Sequence, residues 1–110
     1  MEKLFSYGTL QYPKVQIASF GRLLKGTKTK LFGYKLEKVE IKDPRVLELS
    51  DQKFHPMAIP SDDSTDFIEG IIFEITQEEL IQSDLYEVDD YKRVAEQFEN
   101  SDTAWVYTQA

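Results

Sequence analysis

Two short segments of this 110-residue chain hold side chains whose types and order could do chemistry. The first runs Phe5-Ser6-Tyr7-Gly8-Thr9-Leu10, an apolar stretch that gives way to a glycine. Gly8 allows a backbone turn that a Cβ would hinder, and successive N–H groups in such a turn can point together at an anion or a developing oxyanion. The second segment is Asp84-Leu85-Tyr86-Glu87-Val88-Asp89-Asp90-Tyr91-Lys92-Arg93, where carboxylates crowd beside two tyrosines and an arginine. Its spacing matches no calcium-binding loop, and the chain has a single histidine to serve as a nitrogen ligand, so a metal site is disfavoured. Asp89 and Asp90 read as a charged turn. Glu87 differs because it follows the apolar Leu85 and Tyr86 at the end of a helix with a buried face. Drawn inward, it would lose solvent, and desolvation raises a carboxyl pKa towards the range useful to a base at neutral pH. His55, set before Pro56 between extended residues, reads as packing or hydrogen bonding, with contact to a ligand as the lesser alternative.

These residues need elements to hold them. Leu4 to Tyr7 reads as a short buried strand that ends at the Gly8 turn. Pro13 suits the first turn of a helix, with Val15, Ala18, Ser19 and Leu23 at helical spacing and Gly21 limiting its length. From Arg22 to Lys38 basic residues interleave with Leu31, Phe32 and Tyr34, which in an acidic chain reads as a solvated strand face and not an RNA surface. Phe32 to Ile41 is a strand. Asp43-Pro44 is a break, Val46, Leu47 and Leu49 form a strand or a short packed turn, and Ser50 to Lys53 is a turn. Phe54 to Ile59 is extended ahead of Pro60, and Ser61 to Asp66 is a polar loop.

Phe67 to Ile75 is the clearest strand, with Ile71, Phe73 and Ile75 on one face, Ile72 on the other, and Gly70 leaving room for a close neighbour. Thr76 then caps a helix, and Glu79 completes a capping box. Leu80, Ile81, Asp84 and Leu85 are expected to turn an apolar stripe to the sheet while the helix carries the chain to Glu87. Val94, Glu96 and Phe98 alternate with Arg93, Ala95 and Gln97, the polar turn Asn100-Ser101-Asp102 follows, and Ala104 to Tyr107 closes a terminal hairpin.

The totals bound the rest. Hydrophobic residues make up 41% of the chain, which suits one domain over residues 1–110 with a core of its own. The absence of cysteine excludes disulfides, thiolate metal sites and a cysteine nucleophile. A net charge of −7 argues against nucleic acid, whose binding depends on clustered Lys and Arg. No apolar run approaches the ~20 residues of a membrane span, and Glu2 and Lys3 do not read as a signal peptide. A soluble cytoplasmic protein with no membrane partner is the expectation.

The two segments together resemble the gamma-glutamylcyclotransferase-like family, whose pattern is a Tyr-Gly-Ser/Thr-Leu turn near the N-terminus, then Asp-x-Tyr/Phe-Glu and Tyr-x-Arg. Here these are Tyr7-Gly8-Thr9-Leu10, Asp84-Leu85-Tyr86-Glu87 and Tyr91-Lys92-Arg93. The resemblance continues through Glu69-Gly70-Ile71, Glu78-Glu79-Leu80 and Ala104-Trp105-Val106-Tyr107. It implies an α+β fold, a small mixed barrel-like sheet with short flanking helices, and a pocket between the N-terminal turn and a catalytic glutamate. It further implies an enzyme that needs no cofactor and takes a small-molecule gamma-glutamyl donor. The donor's α-amine attacks its own γ-carbonyl, making 5-oxoproline and releasing an amine or peptide. On this resemblance Glu87 is the general acid/base, Tyr7, Gly8, Thr9 and Leu10 line the substrate site, and Tyr91 hydrogen-bonds to the substrate or to Glu87. Arg93 pairs with a carboxylate of the substrate or of the protein. The chain departs from the pattern at Ser83, where leucine is common, and at Val88, where glycine often follows the glutamate. The alternative is a binding or regulatory domain that keeps the pocket without turnover.

Overall fold

In the computed structural model, which describes residues 1–40, 54–87 and 90–110, β1 (Glu2–Ser6) is the strand around which the fold is organised. Successive side chains on a strand point to opposite faces, so Leu4 and Phe5 enter two different hydrophobic clusters, one on each side of the sheet. Both are almost fully buried, at 2% and 1% exposure. On one side β1 pairs antiparallel with β5 (Phe67–Ile75), Leu4 opposite Phe73 and Phe5 opposite Ile72. On the other it runs parallel to β7 (Thr103–Gln109), Leu4 opposite Trp105.

β2 (Gly26–Phe32) extends the sheet beyond β5, and β6 (Tyr91–Gln97) extends it beyond β7, giving the order β2-β5-β1-β7-β6. β3 (Tyr34–Glu40) and β4 (Phe54–Pro60) form a separate two-stranded ribbon. The fold is α+β with a mixed sheet, as expected, but the sheet is not a closed barrel. Both faces of β5 are buried: Ile68 and Ile72 join one cluster, Phe73 and Ile75 the other. Gly70 lies against β1 so closely that a Cβ there would run into the Ser6 carbonyl oxygen and the Phe5 ring. The segment Asp43-Pro44, the cluster of Val46, Leu47 and Leu49, and the Ser50 to Lys53 turn lie outside the described residues, as do Val88 and Asp89.

α1 (Pro13–Phe20) starts with proline in its first turn and stops at Gly21, which takes the left-handed conformation at φ 73°. Its one buried residue is polar: Gln16 donates from Nε2 to the Leu10 carbonyl at 2.9 Å and accepts from the Leu24 N–H at 2.9 Å. α2 (Gln77–Tyr86) carries the capping box, with the Glu79 N–H on Thr76 Oγ1 at 3.1 Å and the Thr76 N–H on Glu79 Oε1 at 2.8 Å.

The stripe α2 presents to the protein differs from the expected one. Glu79, Leu80 and Ser83 are buried, while Ile81 and Leu85 are 54% and 74% exposed. The cause is Glu79, whose carboxylate also takes two hydrogen bonds from Arg22, at 2.9 and 2.7 Å. Held by its own cap and by a distant arginine, Glu79 fixes the rotation of the helix. Leu80 and Ser83 then share its side, and Ile81 is carried roughly 200° away. Among the described residues no helix is long and apolar enough to cross a membrane.

Candidate active site

At the end of β1 the chain is tied down by Tyr7. Its hydroxyl donates to the Tyr107 carbonyl at 2.6 Å and accepts from the Ala58 N–H at 3.1 Å, so one side chain joins β1, β7 and β4. Gly8 follows at φ −124° and ψ −145°, and a Cβ there would meet only Pro56 Cγ at 3.9 Å, an ordinary contact. No other element among the described residues crowds the position. The turn itself is present as a 3₁₀ segment over Thr9–Gln11, closed by the Gln11 N–H on the Gly8 carbonyl at 3.2 Å and the Tyr12 N–H on the Thr9 carbonyl at 2.9 Å. The first N–H groups of a helical turn have no internal acceptor, and those of Thr9 and Leu10 have none among the described residues. The Gly8 N–H is already directed to Ser6 Oγ at 3.3 Å.

Glu87 arrives from the opposite wall. It caps the C-terminus of α2, giving its N–H to the Ser83 carbonyl at 3.1 Å, and turns extended at φ −73° and ψ 140°. Tyr7, Gly8, Thr9, Leu10, Glu87 and Tyr91 all line one cavity of about 410 Å³. The sequence-derived site residues thus come together, although some lie more than 75 positions apart. Tyr91 donates its hydroxyl to the Pro56 carbonyl at 3.0 Å. Arg93 does not face the cavity. It grips Asp84 with two hydrogen bonds of 2.8 and 2.9 Å and lies 4.3 Å over the Trp105 ring. Tyr107 completes that clamp, donating its hydroxyl to Asp84 at 2.7 Å.

The electrostatics follow from this arrangement. Burial tends to raise the Asp84 pKa, but the Arg93 and Tyr107 hydrogen bonds and the arginine charge outweigh it, and the net direction is down. Glu87 goes the other way. Burial, and secondarily the Asp84 charge, push its carboxyl from 4.5 up to about 7. Nothing offsets this, since the Glu87 side chain has no hydrogen-bond or ion-pair partner among the described residues. Two neighbouring carboxyls are thereby driven apart, one kept ionised and one poised to exchange a proton near neutrality. Burial also pushes up Tyr7, Tyr91 and Tyr107, so their hydroxyls stay neutral. Among the described residues no three His, Asp or Glu side chains are grouped so as to hold a metal ion.

Several further residues line the cavity that the sequence did not assign to the site. His55 and Pro56 reach the cavity from β4, Tyr107 from β7, and Lys14, Val15, Ala18, Ser19 and Phe20 from the α1 segment. Helical spacing located α1 but not the direction it faces. Tyr107 read simply as a closing strand residue, because its partner Asp84 is 23 positions away.

A family model described as gamma-glutamyl cyclotransferase, AIG2-like, matches residues 4–110. Two Arabidopsis thaliana proteins with solution structures share the fold. One is 24% identical with a TM-score of 0.70, the match covering 99% of this chain and 61% of that one. The other is 20% identical with a TM-score of 0.73, covering 98% and 68%. This chain therefore spans about three-fifths of the length of the first. No curated protein sequence matches it.

Proposed function

This chain belongs to the AIG2-like gamma-glutamyl cyclotransferase family, and from that premise we propose that it cyclises a γ-glutamyl donor to 5-oxoproline with Glu87 as the general acid/base. The observation that carries the reading is the Glu87 carboxyl, buried without a side-chain partner among the described residues and pushed up to about 7, in the same cavity as the Tyr7 to Leu10 turn. A free α-amine has a pKa of about 7.7–8.0 and is largely protonated at neutral pH. A carboxylate near 7 is closely matched to it, which favours transfer in both directions.

The reaction moves two protons from the α-nitrogen to the leaving nitrogen. Glu87 takes the first from the donor's ammonium group, and the freed amine attacks the γ-carbonyl carbon, forming the ring C–N bond and an oxyanion. The Thr9 and Leu10 N–H groups, without acceptors among the described residues, are suited to receive that oxyanion or the substrate carboxylate. Glu87 then protonates the leaving nitrogen, the old C–N bond breaks, and the second proton follows the same route from the ring nitrogen to the released amine. Nucleophile and electrophile belong to one molecule, so the protein's task is to fold the donor into a reactive shape. Tyr91, whose proton is committed to Pro56, keeps oxygen lone pairs that can accept from the donor's ammonium.

The test is to incubate the protein with γ-glutamyl amines and dipeptides while measuring 5-oxoproline. Product that disappears in Glu87→Gln supports the reading. Binding without product for every donor places the protein with domains that retain the pocket but not the turnover.

A further inference from the structure

The last turn of α2 hands the chain to Glu87, yet little apolar packing holds that turn down. Leu85 and Tyr86 are 74% and 57% exposed, and the buried Ser83 spends its hydroxyl inside the helix, donating to the Glu79 carbonyl at 3.1 Å. Among the described residues, every hydrogen bond that ties this turn to another element goes to Asp84. Arg93 of β6 supplies two of them, at 2.8 and 2.9 Å, and the Tyr107 hydroxyl of β7 the third, at 2.7 Å. The arginine is itself set in place, 4.3 Å over the Trp105 ring, whose Nε1 donates to Glu2 Oε2 at 3.1 Å. A two-bond fork from arginine to carboxylate fixes orientation as well as distance. Glu87 follows Asp84 by three positions and has no side-chain partner of its own among the described residues, so its place in the cavity is set by the backbone that carries it.

We infer that Arg93 is a positioning residue for the general acid/base: through Asp84 it pins the end of α2 to the sheet and so keeps the Glu87 carboxyl inside the cavity. This rests on the cyclisation reading for what Glu87 does there, while the clamp supplies its placement. The role needs a guanidinium, because a lysine ammonium carries the same charge without the planar fork that grips both carboxylate oxygens. Positioning and charge are thereby separable.

The experiment compares the wild type with Arg93→Lys, Asp84→Asn and the double variant. The Glu87 carboxyl is titrated by carbon-13 NMR in the substrate-free protein, its signal assigned against Glu87→Gln, and kcat and KM for 5-oxoproline release are measured beside it. The other titratable side chains lining the cavity, Tyr7, Lys14, His55, Tyr91 and Tyr107, are the same in every variant. Lysine keeps the positive charge, so an influence through charge alone leaves the Glu87 midpoint at about 7. Lost positioning lets the carboxyl reach water, and since burial is the larger cause of its raised pKa, the midpoint falls towards 4.5. That fall is the expected result for Arg93→Lys, with kcat reduced by roughly ten- to a hundredfold, as for a misplaced catalytic group, and KM little changed. In the Asp84→Asn background the lysine substitution should add little, because the carboxylate it would grip is gone. A midpoint that stays near 7 in Arg93→Lys, a kcat equal to the wild type's, or an equal effect of the substitution in both backgrounds overturns the inference. If the midpoint falls while no form of the protein yields 5-oxoproline, the positioning stands and the cyclisation reading fails.

Discussion

Replacing Glu87 by glutamine should make this protein more stable, and only at neutral to alkaline pH. In the folded state burial and the Asp84 charge raise the Glu87 carboxyl from 4.5 to about 7. Below pH 4.5 it is protonated in both folded and unfolded chains, and its ionisation costs nothing. Between 4.5 and 7 the unfolded chain ionises first, so stability falls as pH rises, and above 7 the full cost is present. At ~1.4 kcal/mol per pKa unit, that cost reaches about 3 kcal/mol, a large share of the roughly 5–15 kcal/mol that stabilises a domain of this kind. Glutamine keeps the shape of the protonated acid and never ionises. The assay is urea unfolding of both proteins from pH 4 to pH 9. The difference in stability should be near zero at the acid end and up to about 3 kcal/mol in favour of the variant at the alkaline end, a midpoint shift of roughly 1–3 M urea. Groups distant from residue 87 titrate alike in both proteins and cancel in the difference. A difference that does not change with pH, or a wild type that gains on the variant as pH rises, would refute the reasoning, because the carboxylate would then have a partner that favours its charge.

The pH–rate profile should show an acid limb in kcat/KM near 7, activity rising as Glu87 ionises, and Asp84→Asn should move that limb to lower pH by removing a charge that raises the Glu87 pKa; a limb unmoved in that variant would exclude the coupling. Tyr91→Phe should fold, lose the bond to the Pro56 carbonyl, and reduce turnover far less than Glu87→Gln, as measured by steady-state kinetics. Thr76→Ala should cost ~1 kcal/mol in chemical unfolding through loss of the capping box, with kcat unchanged.

Interactions between residues close along the chain were legible before any coordinates. The Thr76 and Glu79 capping box, the Pro13 start of α1, the doubly buried β5 and the hairpin through Ser101 depend on neighbours a few positions away, and the family motif named every residue proposed for the polar end of the site. The sequence could not say which way α2 turns, since Arg22 reaches Glu79 across 57 positions and leaves Ile81 in solvent. Nor could it predict that Arg93 is spent on Asp84, or that Tyr7 closes the fold onto Tyr107 across 100 positions. The part that α1 plays in lining the cavity was equally hidden, because that lining is drawn from separate elements of the chain. Local propensity and periodicity are properties of a short stretch of chain, whereas desolvation of a carboxyl and the direction a helix faces belong to the surroundings that folding assembles.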